Sequence, residues 1–107
     1  MSKDTAEFKR IVKAYYLNQF KMIVKIDKKY PNMNKNINKA KKTQVICNIH
    51  LKKLDEELTE LLKLRYVEEL GQDEISQKTG LSMSTIYRKT SSVTRLLKLD
   101  LILNKVM

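Results

Sequence analysis

Only three residues in this chain of 107 are strong backbone breakers: Pro31, Gly71 and Gly80. A β-sandwich or barrel needs a turn every 8–12 residues or so, and so many turns draw heavily on Gly and Pro. Three breakers leave long uninterrupted stretches, and Lys, Leu, Ile, Glu and Met, which form helix well or tolerate it, fill them. The fold class that follows is all-α: a small helical domain with a long N-terminal helix and a compact C-terminal half. Apolar residues make up 42% of the chain, enough for a small core. The single cysteine, Cys47, rules out an internal disulfide and fits a reducing compartment. The N-terminal MSKDTAEFKR is charged and has no apolar run after it, so no signal peptide is expected. No stretch approaches the roughly 18 apolar residues of a membrane span, and no membrane partner is expected.

Hydrophobic spacing places the helices. Phe8, Ile11, Val12, Tyr15, Tyr16, Phe20, Ile23, Ile26 and Tyr30 recur in steps of three and four, which predicts one helix from Thr5 to about Tyr30 with a single buried stripe. Pro31 ends it, and Pro31 to Asn36 reads as a loop. A second helix is expected from about Asn36 to Lys53. It carries Ile37, Ala40, Gln44, Cys47, Leu51 and Leu54 on one face, with Val45, Ile46 and Ile49 broadening the stripe. Asp55 reads as an N-cap, followed by a helix to about Glu69 that has Glu56 and Glu57 at its positive end. Gly71 breaks that helix. A short one follows from Gln72 to Thr79, with Gly80 as its left-handed terminator. Ser82 caps the last helix, which starts at Met83 and passes Leu97 into an aliphatic tail.

Charge divides the chain further. Lys plus Arg number 22 against 12 acids, a net charge of +10 that points to a polyanion such as double-stranded DNA. Residues 1–54 hold 14 basic and 3 acidic side chains, whereas residues 55–107 hold 8 and 9. The expected organisation is a basic N-terminal helical segment, 1–54, and a helix-turn-helix segment, 55–107, within one compact domain. From Ile75 to Leu99 there are five bases and no acid. Lys28 to Lys53 holds eight lysines, which either embrace DNA or reflect the composition of an AT-rich genome.

Within Gly71 to Arg88 the chain reads GQDEISQKTGLSMSTIYR. A helix-turn-helix needs a short first helix, a turn of three or four residues often containing Gly, and a second helix docked on the first. Ile75, Leu81 and Ile86 supply the inner contacts, Ser76 is small at the crossing, and Gly80 makes the turn. Ser82 caps the second helix so that its free amides face a phosphate. The stretch Glu74-Ile75-Ser76 to Gly80-Leu81-Ser82-Met83-Ser84-Thr85-Ile86-Tyr87-Arg88 resembles the helix-turn-helix of region four of bacterial sigma factors. It is still more similar to phage late-gene transcriptional regulators of the RinA and ArpU type, in which an acidic helix ending like Leu64-Arg65-Tyr66 precedes the motif. Ser76 stands where that pattern has alanine and Thr79 where it has an aliphatic residue, so looser packing of the first helix is expected. The Ser-Thr-Ile-Tyr-Arg end also resembles the DNA-binding end of serine recombinases, though 107 residues leave no room for their catalytic domain.

On this alignment Met83, Ser84, Tyr87, Arg88 and Ser91 face the major groove, with Arg88 the best reader of guanine. Lys78, Ser82, Thr85, Lys89 and Arg95 are assigned to phosphates. Packing against the core competes with these roles for Tyr87 and Thr85. Cys47 and His50 have a spacing able to hold a metal, but the chain has no second Cys or His and a zinc site needs three or four ligands. No metal, cofactor or catalytic residue is expected, and no enzymatic activity.

The resemblance implies a sequence-specific DNA-binding regulator of a bacteriophage or prophage, active in the host cytoplasm and activating late genes. A small terminase-like packaging protein is the competing reading, although its motif generally precedes an oligomerising segment. A third reading makes the acidic helix Asp55 to Glu69 a surface for RNA polymerase or another sigma-like region. A homodimer is expected, joined by the N-terminal helix or by the tail of Leu99, Leu101, Ile102, Leu103 and Val106.

Overall fold

The computed structural model of the chain describes residues 3–31 and 37–107. They form six helices: α1 Lys3–Tyr16, α2 Gln19–Lys29, α3 Ile37–Leu51, α4 Glu56–Tyr66, α5 Gln72–Thr79 and α6 Met83–Leu103. There is no strand among the described residues. Most of the expected loop from Pro31 to Asn36 lies outside them.

The long N-terminal helix is two helices, not one. The Leu17 N–H still reaches Lys13 O, but the Asn18 N–H turns back to Tyr15 O, three residues away. Asn18 itself sits in the left-handed region at φ 60°, ψ 23°. Asparagine tolerates that conformation better than most residues because its short amide is accommodated locally. The break lets α2 leave the line of α1 and pack along α3, while α1 lies against α4 and α3. The buried stripe therefore ends at Ile23, and Ile26 and Tyr30 are exposed.

The caps behave as their chemistry demands. Asp55 accepts a hydrogen bond from the Leu58 N–H at 2.8 Å, and Ser82 accepts one from the Thr85 N–H at 3.2 Å. Gly80 terminates α5 at φ 78°, where its N–H bonds Ser76 O at 2.9 Å.

Two apolar clusters hold the helices. The larger joins Phe8, Ile11, Val12 and Phe20 to Ile46, Cys47 and Leu51 of α3, Leu62 and Tyr66 of α4, and Leu97 and Leu101 of α6. Phe8 meets Tyr66 edge to face at 5.8 Å between ring centres. The smaller cluster is Leu61, Leu64, Ile75 and Ile86, with Leu70 and Leu81 against it. On α3, Ile46 joins the core, but Val45 and Ile49 face outward, so the buried face is narrower than the sequence implied. Cys47 is fully buried, which pushes its thiol up to about 12 and keeps it protonated and unreactive at neutral pH. His50 Nε2 lies 2.8 Å from Asp100 Oδ2, a link that joins α3 to α6.

Candidate nucleic-acid interface

The smaller cluster positions the site. Ile75 and Ile86 are almost wholly excluded from solvent, so α5 and α6 lock together across the Gly80 turn and both rest on Leu61 and Leu64 of α4. Side-chain oxygens hold the turn from within. Ser76 Oγ donates to Leu81 O, Thr79 Oγ1 donates to Ile75 O at 2.7 Å, and the Leu81 N–H donates to Thr79 Oγ1 at 3.3 Å. The two positions that depart from the expected pattern, Ser76 and Thr79, thus both hydrogen-bond within the turn.

The start of α6 differs electrostatically from its neighbours. The first turns of α4 and α5 carry Glu56 and Glu57, and Asp73 and Glu74, whereas that of α6 carries no acid. Its positive end is left uncompensated, which favours an approaching phosphate.

Ser84, Arg88, Ser91 and Arg95 follow one another in steps of four and three, so they share one face of α6. Ser84, Arg88 and Arg95 are exposed and Ser91 is half-buried. Met83 and Tyr87 flank this face at 48% and 57% exposure, which removes core packing as the role of Tyr87. Thr85 is half-buried, and its hydroxyl accepts from Ser82 Oγ at 2.8 Å. Among the described residues no ion pair engages Arg88, Arg95 or Lys98.

Two of the lysines assigned to phosphates have acidic partners inside the molecule. Lys89 Nζ lies 2.9 Å from Glu57 Oε1, and Lys78 Nζ lies 3.5 Å from Glu68 Oε1. Such exposed pairs contribute about 0–1 kcal/mol, so a phosphate can replace the carboxylate with little loss. The N-terminal lysines are placed differently. The Lys42 Nζ bond to Asn104 O and the His50–Asp100 link set α3 along the C-terminal half of α6, beyond its reading turns.

A cleft between α1, α4, α5 and α6 brings in groups that the sequence motif does not reveal. Arg65, Arg95 and Lys98 line it together with Tyr87, Ser91 and Thr94, and Phe8 and Tyr66 lie beside them. Burial raises the Tyr66 hydroxyl pKa, while the charge and hydrogen bond of Arg65 pull it back. Lys98 was legible as one turn beyond Arg95 on the same helix. Arg65 was not, because only the tertiary fold sets α4 beside α6. Three cations and several hydroxyls around one concavity suit an anion.

Among the described residues there is no group of three or more His, Cys, Asp or Glu able to hold a metal, and no helix long and apolar enough to cross a membrane. The Sigma-70, region 4 family matches residues 50–98, which take in α4, α5 and α6 up to Lys98. No curated protein and no solved structure gives a significant match. The segment is similar to the sigma-70 region 4 helix-turn-helix, and that family is a DNA-binding, non-catalytic kind of module.

Proposed function

We propose that the chain is a sequence-specific DNA-binding transcription regulator of a bacteriophage or prophage, activating late genes in the cytoplasm of its host. The observation that carries this reading is the face of Ser84, Arg88 and Arg95: exposed, free of acids, and presented by a capped helix that Ile75 and Ile86 hold rigidly. Arg88 reads guanine through its fork, and Ser84 and Tyr87 contact neighbouring bases. Arg95, Lys98 and Arg65 take phosphates, and Lys78 and Lys89 join them by exchanging their carboxylate partners. The phage and late-gene assignment rests on the likeness of Glu74 to Arg88, with Leu64-Arg65-Tyr66 before it, to the RinA and ArpU pattern.

Contact with RNA polymerase belongs to the same reading. Glu56 and Glu60 are exposed on α4 and no ion pair engages them among the described residues, so they offer an acidic surface to a basic partner. The test selects duplexes from a random pool with the purified chain, then footprints the enriched sequence beside a phage promoter in a transcription assay. Enrichment of one sequence with increased transcript supports the proposal. A pool that stays random, or a ring-shaped oligomer bound at a packaging site, overturns it in favour of general DNA binding or the terminase reading.

A further inference from the structure

The C-terminal half of α6 has two faces. Leu97 and Leu101 enter the core, whereas Leu96, Leu99 and Leu103 point outward. Val45 and Ile49 of α3 also point outward. The His50–Asp100 link and the bond from Lys42 to Asn104 O run α3 antiparallel to α6. At about 100° per residue, this pairing turns Val45 and Ile49 to the same side as Leu96, Leu99 and Leu103. Each of the five is more than half exposed. Between the two helices His50 is paired with Asp100 at 2.8 Å.

We infer that this strip is the contact face for a second copy of the chain, packed antiparallel about a two-fold axis near Leu99. The area argument stands on its own, while the length and direction arguments rest on the DNA-binding reading. Three observations select a second copy as the occupant. The first is area. The exposed parts of the five side chains amount to on the order of 500 Å² per copy, which with a polar rim approaches the roughly 800 Å² that one partner contributes to a stable interface.

The second is length. From Arg88 to Leu99 the helix rises about 16 Å at about 1.5 Å per residue. Antiparallel pairing at Leu99 therefore sets the two Arg88 side chains about 33 Å apart, close to the 34–36 Å between successive major grooves on one side of the duplex.

The third is direction. On the helical wheel of α6, the strip centred on Leu96, Leu99 and Leu103 lies about a quarter turn from the face of Ser84, Arg88 and Ser91. In a two-fold pair of side-by-side antiparallel helices the axis is perpendicular to the plane containing them. Both reading faces then point the same way along that axis, towards one duplex. The two copies of α3 lie together on the opposite side, away from DNA. The sequence left the seam open between the N-terminal helix and the tail. This placement assigns it to one edge of the tail together with α3.

Sedimentation equilibrium at micromolar concentration, without DNA, tests the face directly. The intact chain is expected at twice its 12.6 kDa. Leu99→Glu changes an exposed side chain, so its helical circular dichroism is expected to match the parent, while dimer dissociation rises about tenfold or more. Met22→Glu, on the exposed face of α2, is expected to remain dimeric. Leu99→Cys is expected to form a disulfide-linked dimer on mild oxidation, since the native Cys47 is buried. A chain that stays at 12.6 kDa both free and on its selected duplex overturns the inference, as does a dimer broken by Met22→Glu but not by Leu99→Glu. The sequences enriched from a random pool provide a separate readout. Inverted half-sites with centres about 10 base pairs apart support the two-fold pair, and single sites contradict it. A dimer that enriches no sequence leaves the face standing and removes the DNA reading instead.

Discussion

The two halves of α6 are one continuous helix with opposite surface chemistry. From Met83 to Ser91 it buries only Ile86, packed against α4 and α5, and Thr90, and shows solvent Ser84, Tyr87, Arg88 and Lys89. From Leu96 to Leu103 it buries Leu97 and Leu101, against α3, and shows solvent mostly aliphatic side chains. Backbone hydrogen bonding is common to both halves. What changes along the helix is which residues occupy the outward positions, and with them the kind of partner the surface suits. A polar, cationic arc suits a phosphate-lined groove, while an aliphatic arc suits another apolar surface. The rigid rod between them ties the spacing of any assembly to the spacing of what is read.

The largest expected effect tests whether the packed half supports the reading half. Leu97→Ala removes a fully buried side chain from the larger cluster and is expected to lower unfolding free energy by about 2–5 kcal/mol in urea titrations. A loss below 1 kcal/mol or so means that the tail is not anchored as described. Next comes Arg88→Ala, expected to weaken binding to a selected duplex by about 1–3 kcal/mol and binding to random DNA much less. Equal losses on both duplexes demote Arg88 to a phosphate contact. Ser82→Ala follows, at about 1 kcal/mol of stability by thermal melting, from loss of the cap that starts the reading half.

The smallest effect separates two basic surfaces. Replacing Arg95 and Lys98 by Gln is expected to flatten the log–log salt dependence of binding by about 1.8 units, from 0.9 or so per phosphate contact. Replacing Lys41 and Lys42 by Gln is expected to leave the slope nearly unchanged, because α3 runs beside the half of α6 that does not read. The reverse ranking restores the N-terminal lysines as DNA contacts and attributes less to the cleft.

The helix-turn-helix was legible because its requirements are local. Gly80, Ser82, Ile75 and Ile86 each do within a few residues what the motif demands, and the structure places them as read. The break at Asn18 was not, since the apolar spacing runs through it and only a left-handed asparagine marks the change of direction. The outward turn of Val45 and Ile49 was hidden for a related reason. An amphipathic pattern shows which residues are apolar, but a helix flanked by two others leaves one apolar edge without a neighbour. Lys89 and Lys78 looked free in the sequence, and the tertiary fold alone brings Glu57 and Glu68 to them. Arg65 belongs to the same class, reaching the cleft through packing between α4 and α6.

The central claim is that α6 meets DNA through its first half and the cleft side chains Arg95 and Lys98, while the aliphatic edge of its second half does not. Amide chemical-shift mapping by NMR during titration with a selected duplex tests it directly. The expected result is a concentration of shifts from Ser82 to Arg95 and around the Arg65 cleft, with Val45, Ile49 and Leu103 nearly still. Shifts centred on α3 and the tail, with Ser84 and Arg88 unmoved, would contradict it.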